Sequence, residues 1–264
     1  MIRYKTLFST IKKRLLFLFL FFSLAELFGQ RDTEHWVAPY FDSMGSSYIH
    51  GLYFSTDSAT PFTVKIYSNN NQIGSVTISK GSPATFTVDP SYIKLTATSE
   101  AASKSNKGIY TIGDKPYFLT MRIAAGAHAE IITSKGRAGI GTEFFAAAAP
   151  ITVSANNYNF TTGILATEDN TTVNISGYNP SISFLNVAST PSVLTVTLNK
   201  GQSYTLAGIT NTIPNRDGFI GAKITSDKPI TVTNGNSNGF YATTANDGSD
   251  LIMDQSIPVG RLGN

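Results

Sequence analysis

Few residues in this chain have the types that do chemistry, and their spacing argues against most of that chemistry. Gly235-Asn236-Ser237-Asn238-Gly239 has the G-x-S-x-G pattern of a nucleophile elbow. An elbow needs a strand-to-helix turn under the serine, with an acid and a histidine following it in the chain. No helical period follows here, and the last histidine, His128, lies upstream. The segment reads as a Gly/Asn-rich strand exit. The 3 histidines, His35, His50 and His128, have neither H-x-H nor HExxH spacing for zinc. His35 stands beside the sole tryptophan, Trp36, and reads as part of a strand surface. Glu168 and Asp169 are adjacent carboxylates, but neighbours on a strand face opposite ways and cannot flank one glycosidic bond. Residues 136–141 (G-x-x-G-x-G) lack the lysine and the following helix of a phosphate loop. Asn246-Asp247-Gly248-Ser249-Asp250 offers hard oxygen ligands suited to Ca²⁺, without the rest of an EF-hand pattern, and reads as a solvated turn. With no cysteine, thiol catalysis, thiolate metal sites and redox switching are excluded. No catalytic residue, cofactor or metal is expected.

The aromatics carry more. Trp36, Tyr40, Phe41, Tyr48 and Tyr53 crowd into one short stretch, and Tyr158 and Phe160 follow later. Exposed aromatic platforms bind sugar rings or protein partners. Trp36, Tyr40 and Tyr48 are therefore the candidate ligand-binding patch. The competing reading, which weighs more for the set as a whole, is that these rings fill a core.

The elements that must position them come from an internal repeat. Thr63-Val64-Lys65-Ile66 returns 109 residues later as Thr172-Val173-Asn174-Ile175. Ser79-Lys80-Gly81 returns after 120 residues as Asn199-Lys200-Gly201, and Asp114-Lys115-Pro116 after 113 as Asp227-Lys228-Pro229. Thr33-Glu34 likewise precedes Thr142-Glu143. Fixed order with drifting spacing is what loop insertions between fixed strands produce. Short alternating runs such as Phe62-Thr63-Val64-Lys65-Ile66-Tyr67 have the period of a strand with one buried face. The Lys-Gly pairs read as hairpin turns, and Asp-Lys-Pro as a turn leading into a strand. The spacing of turn signals predicts an all-β chain of tandem β-sandwich-like modules, with a multi-blade propeller as the alternative. The first module is expected over 30–140 and the second over 141–262. The C-terminal stretch 249–264 resembles 128–143, so a third repeat is expected to begin at Gly263-Asn264.

Residues 1–29 read as a secretory signal peptide. Arg3, Lys5, Lys12, Lys13 and Arg14 precede an apolar run, Leu15 to Leu24, too short to cross a bilayer as a helix. Cleavage is expected before Gln30, or after Ala25; an uncleaved anchor is the alternative, which Glu26 opposes. The leader holds 5 of the 20 basic residues and 1 of the 17 acidic ones, leaving 15 basic against 16 acidic. No basic stripe remains to neutralise phosphates, so nucleic acid is not an expected partner. Nor is a transmembrane segment expected in the mature chain. Localisation is read as exported, secreted or at the outer cell surface.

Four strings in order carry a family resemblance: Gly141-Thr142-Glu143-Phe144; Ala166-Thr167-Glu168-Asp169-Asn170-Thr171-Thr172-Val173; Leu198-Asn199-Lys200-Gly201-Gln202-Ser203-Tyr204; and Gly221-Ala222-Lys223-Ile224-Thr225-Ser226-Asp227-Lys228-Pro229-Ile230. Together they resemble the N-terminal domain of IgGFc-binding proteins, across most of residues 33–264. The resemblance implies a non-enzymatic extracellular or cell-surface binding and adhesion module of bacterial type. It implies glycoprotein or protein ligands of immunoglobulin-like or mucin-like kind, and it carries no catalytic residues. The bacterial members often carry a C-terminal sorting domain, which this sequence does not show, so a C-terminally truncated member is expected. Two other readings stand beside it: an architectural spacer within a larger surface protein, and a carbohydrate-active hydrolase.

Overall fold

The chain is all-β. The computed structural model describes residues 30–43, 48–126, 128–152, 159–208, 212–240 and 248–261. The leader, Tyr158 and Gly263-Asn264 therefore lie outside the described residues, as do Asn246 and Asp247 of the oxygen-rich loop.

The first half runs β1 (Asp32–Val37), β2 (Tyr40–Phe41), β3 (Ile49–Ser55), β4 (Phe62–Ser68), β5 (Asn71–Ile78), β6 (Ala84–Val88), β7 (Lys94–Leu95), β8 (Lys104–Ser105), β9 (Ile109–Ala125) and β10 (His128–Thr133). The second runs β11 (Ile140–Phe145), β12 (Asn159–Ala166), β13 (Thr171–Ser176), β14 (Val193–Leu198), β15 (Ser203–Ala207), β16 (Lys223–Gly239) and β17 (Asp250–Gln255). The first sheet has the order β5-β4-β9-β3-β6, with β1 and β10 also on β9. The second repeats it as β14-β13-β16-β12-β15, with β11 and β17 on β16, and adds β8 beyond β15. The sequence repeat is thus a repeat of topology, strand for strand.

Each module hangs on one long bent strand. The start of β9 pairs with β1 and β4, and its end with β3 and β10. Between the two lies Asp114-Lys115-Pro116. The β1 register jumps there, from Glu34 opposite Ile112 to Asp32 opposite Tyr117. In the second module Glu143 faces Thr225 and Gly141 faces Ile230, so the same jump spans Asp227-Lys228-Pro229. Proline cannot donate to a ladder, and at this corner neither neighbouring strand asks it to. The Asp-Lys-Pro signpost is therefore a corner inside a continuous strand, where the sequence suggested a turn before one. Asp227 Oδ1 accepts from the Thr172 amide at 2.7 Å, which fixes the start of β13. Lys115 donates to Ser58 Oγ and the Thr60 carbonyl, and Lys228 to the Asp169 carbonyl, so both lysines tie down the preceding loop.

Folding β9 back on itself makes a sandwich. Val64, Ile66 and Ile78 from β4 and β5 meet Leu52, Phe54, Leu119, Met121 and Ile123 from β3 and the end of β9. The second core gathers Val173, Ile175, Ile224 and Leu198 with Ile164, Leu206 and Val232, and an aromatic cluster of Phe160, Tyr178, Phe184 and Phe219. The Lys-Gly turns, expected as hairpins, instead cross between strands on opposite sides of the sheet order: β5 and β6, and likewise β14 and β15, do not pair, with Gly81 and Gly201 each at φ 78.

The modules interlock. β17 pairs with β16 of the second sheet, yet its Leu251 and Met253 side chains are buried in the first core. In return residues 36–41 of the first module lie across β12 and β16. The Pro39 carbonyl sits over Gly163, where a Cβ would be 1.6 Å from its oxygen. Thr233 donates to the Ala38 carbonyl at 3.1 Å, the Phe41 amide to Thr161 Oγ1 at 2.9 Å, and Gln255 to the Trp36 carbonyl at 3.1 Å.

Gly163→Ala forces the modules apart or strains both, and is expected to cost about 3 kcal/mol or more in urea unfolding. Gly81→Ala meets open space and only the left-handed backbone penalty, about 1 kcal/mol. Equal losses at the two sites would contradict the packing role of Gly163.

Candidate functional site

Two of the three aromatics singled out in the sequence are interior. Trp36 and Tyr40 are buried, and Tyr48 is half-buried. Trp36 loses its exposure to the second module: its ring packs with Ala38 and Leu165, and its Nε1 donates to Glu34 at 2.6 Å. The ring stacks on Tyr110 (4.5 Å between centroids), which stacks on Tyr67 (4.7 Å). The Lys200 ammonium stands 5.5 Å from the Tyr110 ring. Tyr40 meets His50 Nε2 at 2.8 Å, and Lys94 places its ammonium 3.6 Å above the Tyr48 ring while pairing with buried Asp42 at 3.2 Å. Burial pushes the Tyr40 hydroxyl pKa up and the Lys94 ammonium pKa down, the latter opposed by Asp42. No face of Trp36 or Tyr40 is open to a ligand, so these rings hold the fold together at the module junction.

The other candidate groups are structural in their contacts. Ser237 of the G-x-S-x-G string is buried near the C-terminal end of β16 and donates to Asn159 Oδ1 at 2.8 Å. Glu168 and Asp169 form the exposed turn between β12 and β13, where Asp169 accepts from the Lys200 amide. Glu143 pairs with Lys223 at 3.1 Å. His128 meets Asp250, at the start of β17, at 3.2 Å. Among the described residues no three His, Asp or Glu side chains converge as a metal site.

His35 and Ser134 have the contact of a base and a nucleophile, but both are buried. Nε2 faces the Tyr117 carbonyl at 2.9 Å and must donate to it, so Nδ1 accepts from Ser134 Oγ at 3.0 Å. Burial holds the His35 pKa down at about 4, against an ordinary 6.5. His50 is likewise held at about 4, by burial and then by Lys94.

What the sequence did not single out is a surface. On the outer side of the first sheet, Ile49 (66% exposed), Tyr53 (43%), Phe118 (41%) and Ile131 (54%) share one face of β3, β9 and β10. Register places Arg122 in its middle, between Gly51 and Ile131, with Tyr53 opposite Thr120 and Phe118 opposite Ser55. Aromatic, aliphatic and arginine side chains on a flat sheet face are the composition of an interface. A signal existed: Phe118-Leu119 and Ile131-Ile132 put apolar residues on both faces of a strand. A groove of about 450 Å³ opens nearby between Ile131, Ala147, Ala148, Ala149, Ile252 and Met253, with Glu130 and Asp254 at its rim.

The described residues form two β-sandwich modules, the first with an open apolar sheet face. A family model described as IgGFc binding protein matches residues 129–264, just over half of the sequence, from within β10 through β17. The chain belongs to the IgGFc-binding protein family. Neither a curated protein nor a solved structure matches it significantly.

The histidines predict an acid-sensitive fold. Both must stay neutral when folded, so their contribution is complete above pH 6.5 and is lost as pH falls from 6.5 towards 4. The loss is up to about 3 kcal/mol per histidine. Urea melts at pH 7 and pH 4.5 should differ accordingly, and His35→Gln should shrink that difference. A pH-independent midpoint across this window would contradict the buried neutral rings.

Proposed function

We propose that the chain is a non-enzymatic extracellular binding and adhesion module, secreted or held at the cell surface, whose ligand is a protein or glycoprotein. The observation that carries this reading is the open face of the first module, because the equivalent face of the second is wholly used for protein–protein packing. This fold, in other words, already docks polypeptide on that side. Tyr53, Phe118 and Ile131 supply apolar anchors there and Arg122 a forked donor for a carboxylate.

Family membership supports a binding role. The basic and apolar leader supports export, and among the described residues no helix is long and apolar enough to cross a membrane. We take 30–140 and 141–262 as the two modules. The interlocked junction also favours a second reading, a stiff spacer inside a longer surface protein, since neither module turns freely on the other.

An array of immobilised glycoproteins and immunoglobulins probed with the protein tests the reading. Binding to at least one is expected, and Tyr53→Ser with Ile131→Ser should weaken it tenfold or more while leaving the thermal midpoint unchanged, since both side chains are exposed. No binding to any surface would remove the ligand claim; binding untouched by the double substitution would remove the face.

A further inference from the structure

The repeat lets the two outer faces be compared position by position. In the second module one row across the sheet reads Thr205–Gly163–Thr233, with Gln255 of β17 beyond β16 in a shifted register. In the first the same row reads Thr85–Tyr53–Thr120–Thr133. The threonines correspond, so Tyr53 stands where Gly163 stands. The second row is buried under residues 36–41, and Gly163 is its tightest point: the Pro39 oxygen would lie 1.6 Å from a Cβ. The first row is open, and Tyr53 covers it.

The segment that does the covering also has a counterpart. Glu34 and Glu143 occupy equivalent register positions, so Trp36, Ala38 and Pro39 correspond to Phe145, Ala147 and Ala148. Phe145 is 48% exposed, and the groove of about 450 Å³ runs beside Ala147 and Ala148. The second module therefore presents the shape that covers a face, a large ring followed by small residues. The first module presents a face of the right register with one side chain too many.

We propose that Tyr53 is an assembly gatekeeper. It ends the stack at the first module by denying its outer face to residues 145–149 of a second copy, whose approach would otherwise repeat head to tail the packing seen inside one chain. An interface of that kind is heterologous and does not close on itself, so without the gatekeeper it grows into a filament. Arg122 adds to the bar by placing a charge where docking would remove water. The proposal is independent of any ligand.

Sedimentation velocity of the protein over a concentration series reads it directly. The wild type is expected as one species of monomer mass. Tyr53→Gly is expected to form dimers and longer species as concentration rises, and Ala147→Arg added to it should return the monomer. Tyr53→Ala keeps a Cβ and should stay monomeric. The proposal is overturned if folded Tyr53→Gly stays monomeric throughout, if its oligomers survive Ala147→Arg, or if the wild type itself stacks through Ala147. Should Tyr53→Gly lose its fold, Gly163→Tyr decides. It is expected to displace residues 36–41 and red-shift the emission of Trp36, the only tryptophan; unchanged emission in the soluble variant would overturn the steric argument.

Discussion

Everything in this structure depends on one strand per module being long enough and bent enough to belong to both layers of its sandwich. β9 and β16 each span 17 residues, about three times a typical strand. A straight strand of that length would leave one end without a second layer to pack on. The corner at Asp-Lys-Pro solves this without breaking the chain. Proline is tolerated because the partner strand skips the corner, and lysine pins the loop that would otherwise float over the bend; in the second module Asp227 also accepts from the Thr172 amide of β13. The recurrence of these three residues is a consequence of geometry, and it needs no ligand to explain it.

The bend has a second effect, because it exposes the outer side of the layer made by β3 and β10 or by β12 and β17. In the second module that side is covered by residues 36–41, and β17 gives its backbone to one sheet and Leu251 and Met253 to the other core. β8 makes the same exchange in reverse by pairing with β15, where Asn186 also donates to the Ala101 carbonyl at 2.9 Å. Neither module can lose its partner without exposing apolar surface, so the pair is expected to unfold as one unit even though each half has its own core.

The sequence revealed what local chemistry controls. The all-β class and the turn positions are legible because turns and alternation are set by neighbouring residues, whereas the Lys-Gly turns read locally as hairpins although the strands they join do not pair. Long-range burial is not legible in this way. β12, Asn-Phe-Thr-Thr-Gly-Ile-Leu-Ala, is buried at every position and so shows no alternation, because its outer cover comes from more than a hundred residues upstream. Trp36 and Tyr40 looked like a platform for the same reason: the sheet that covers Trp36 and the His50 that meets Tyr40 are not their sequence neighbours. Tyr53 lay within the same aromatic stretch and is the ring that stays open. Nothing local to it distinguishes it from the other two.

The two copies have kept their turns and changed their faces, and the changes are not random in chemistry. Where the first module places Met121 in its core, the second places Asn234, whose amide holds the Phe145 carbonyl at 3.0 Å. At the position after next, Ile123 is replaced by Asn236, which accepts from the Ala149 amide at 2.7 Å and donates to its carbonyl. The first module seats residues 37–40 by apolar packing and lets the second sheet cover them. The second seats residues 145–149 by side-chain hydrogen bonds and leaves them at the surface. A segment fixed through its backbone keeps its shape without a cover, which is what an exposed edge requires. The opposite ends of the pair are thus finished in opposite ways, one face filled by an aromatic ring and the other edge stiffened by amides.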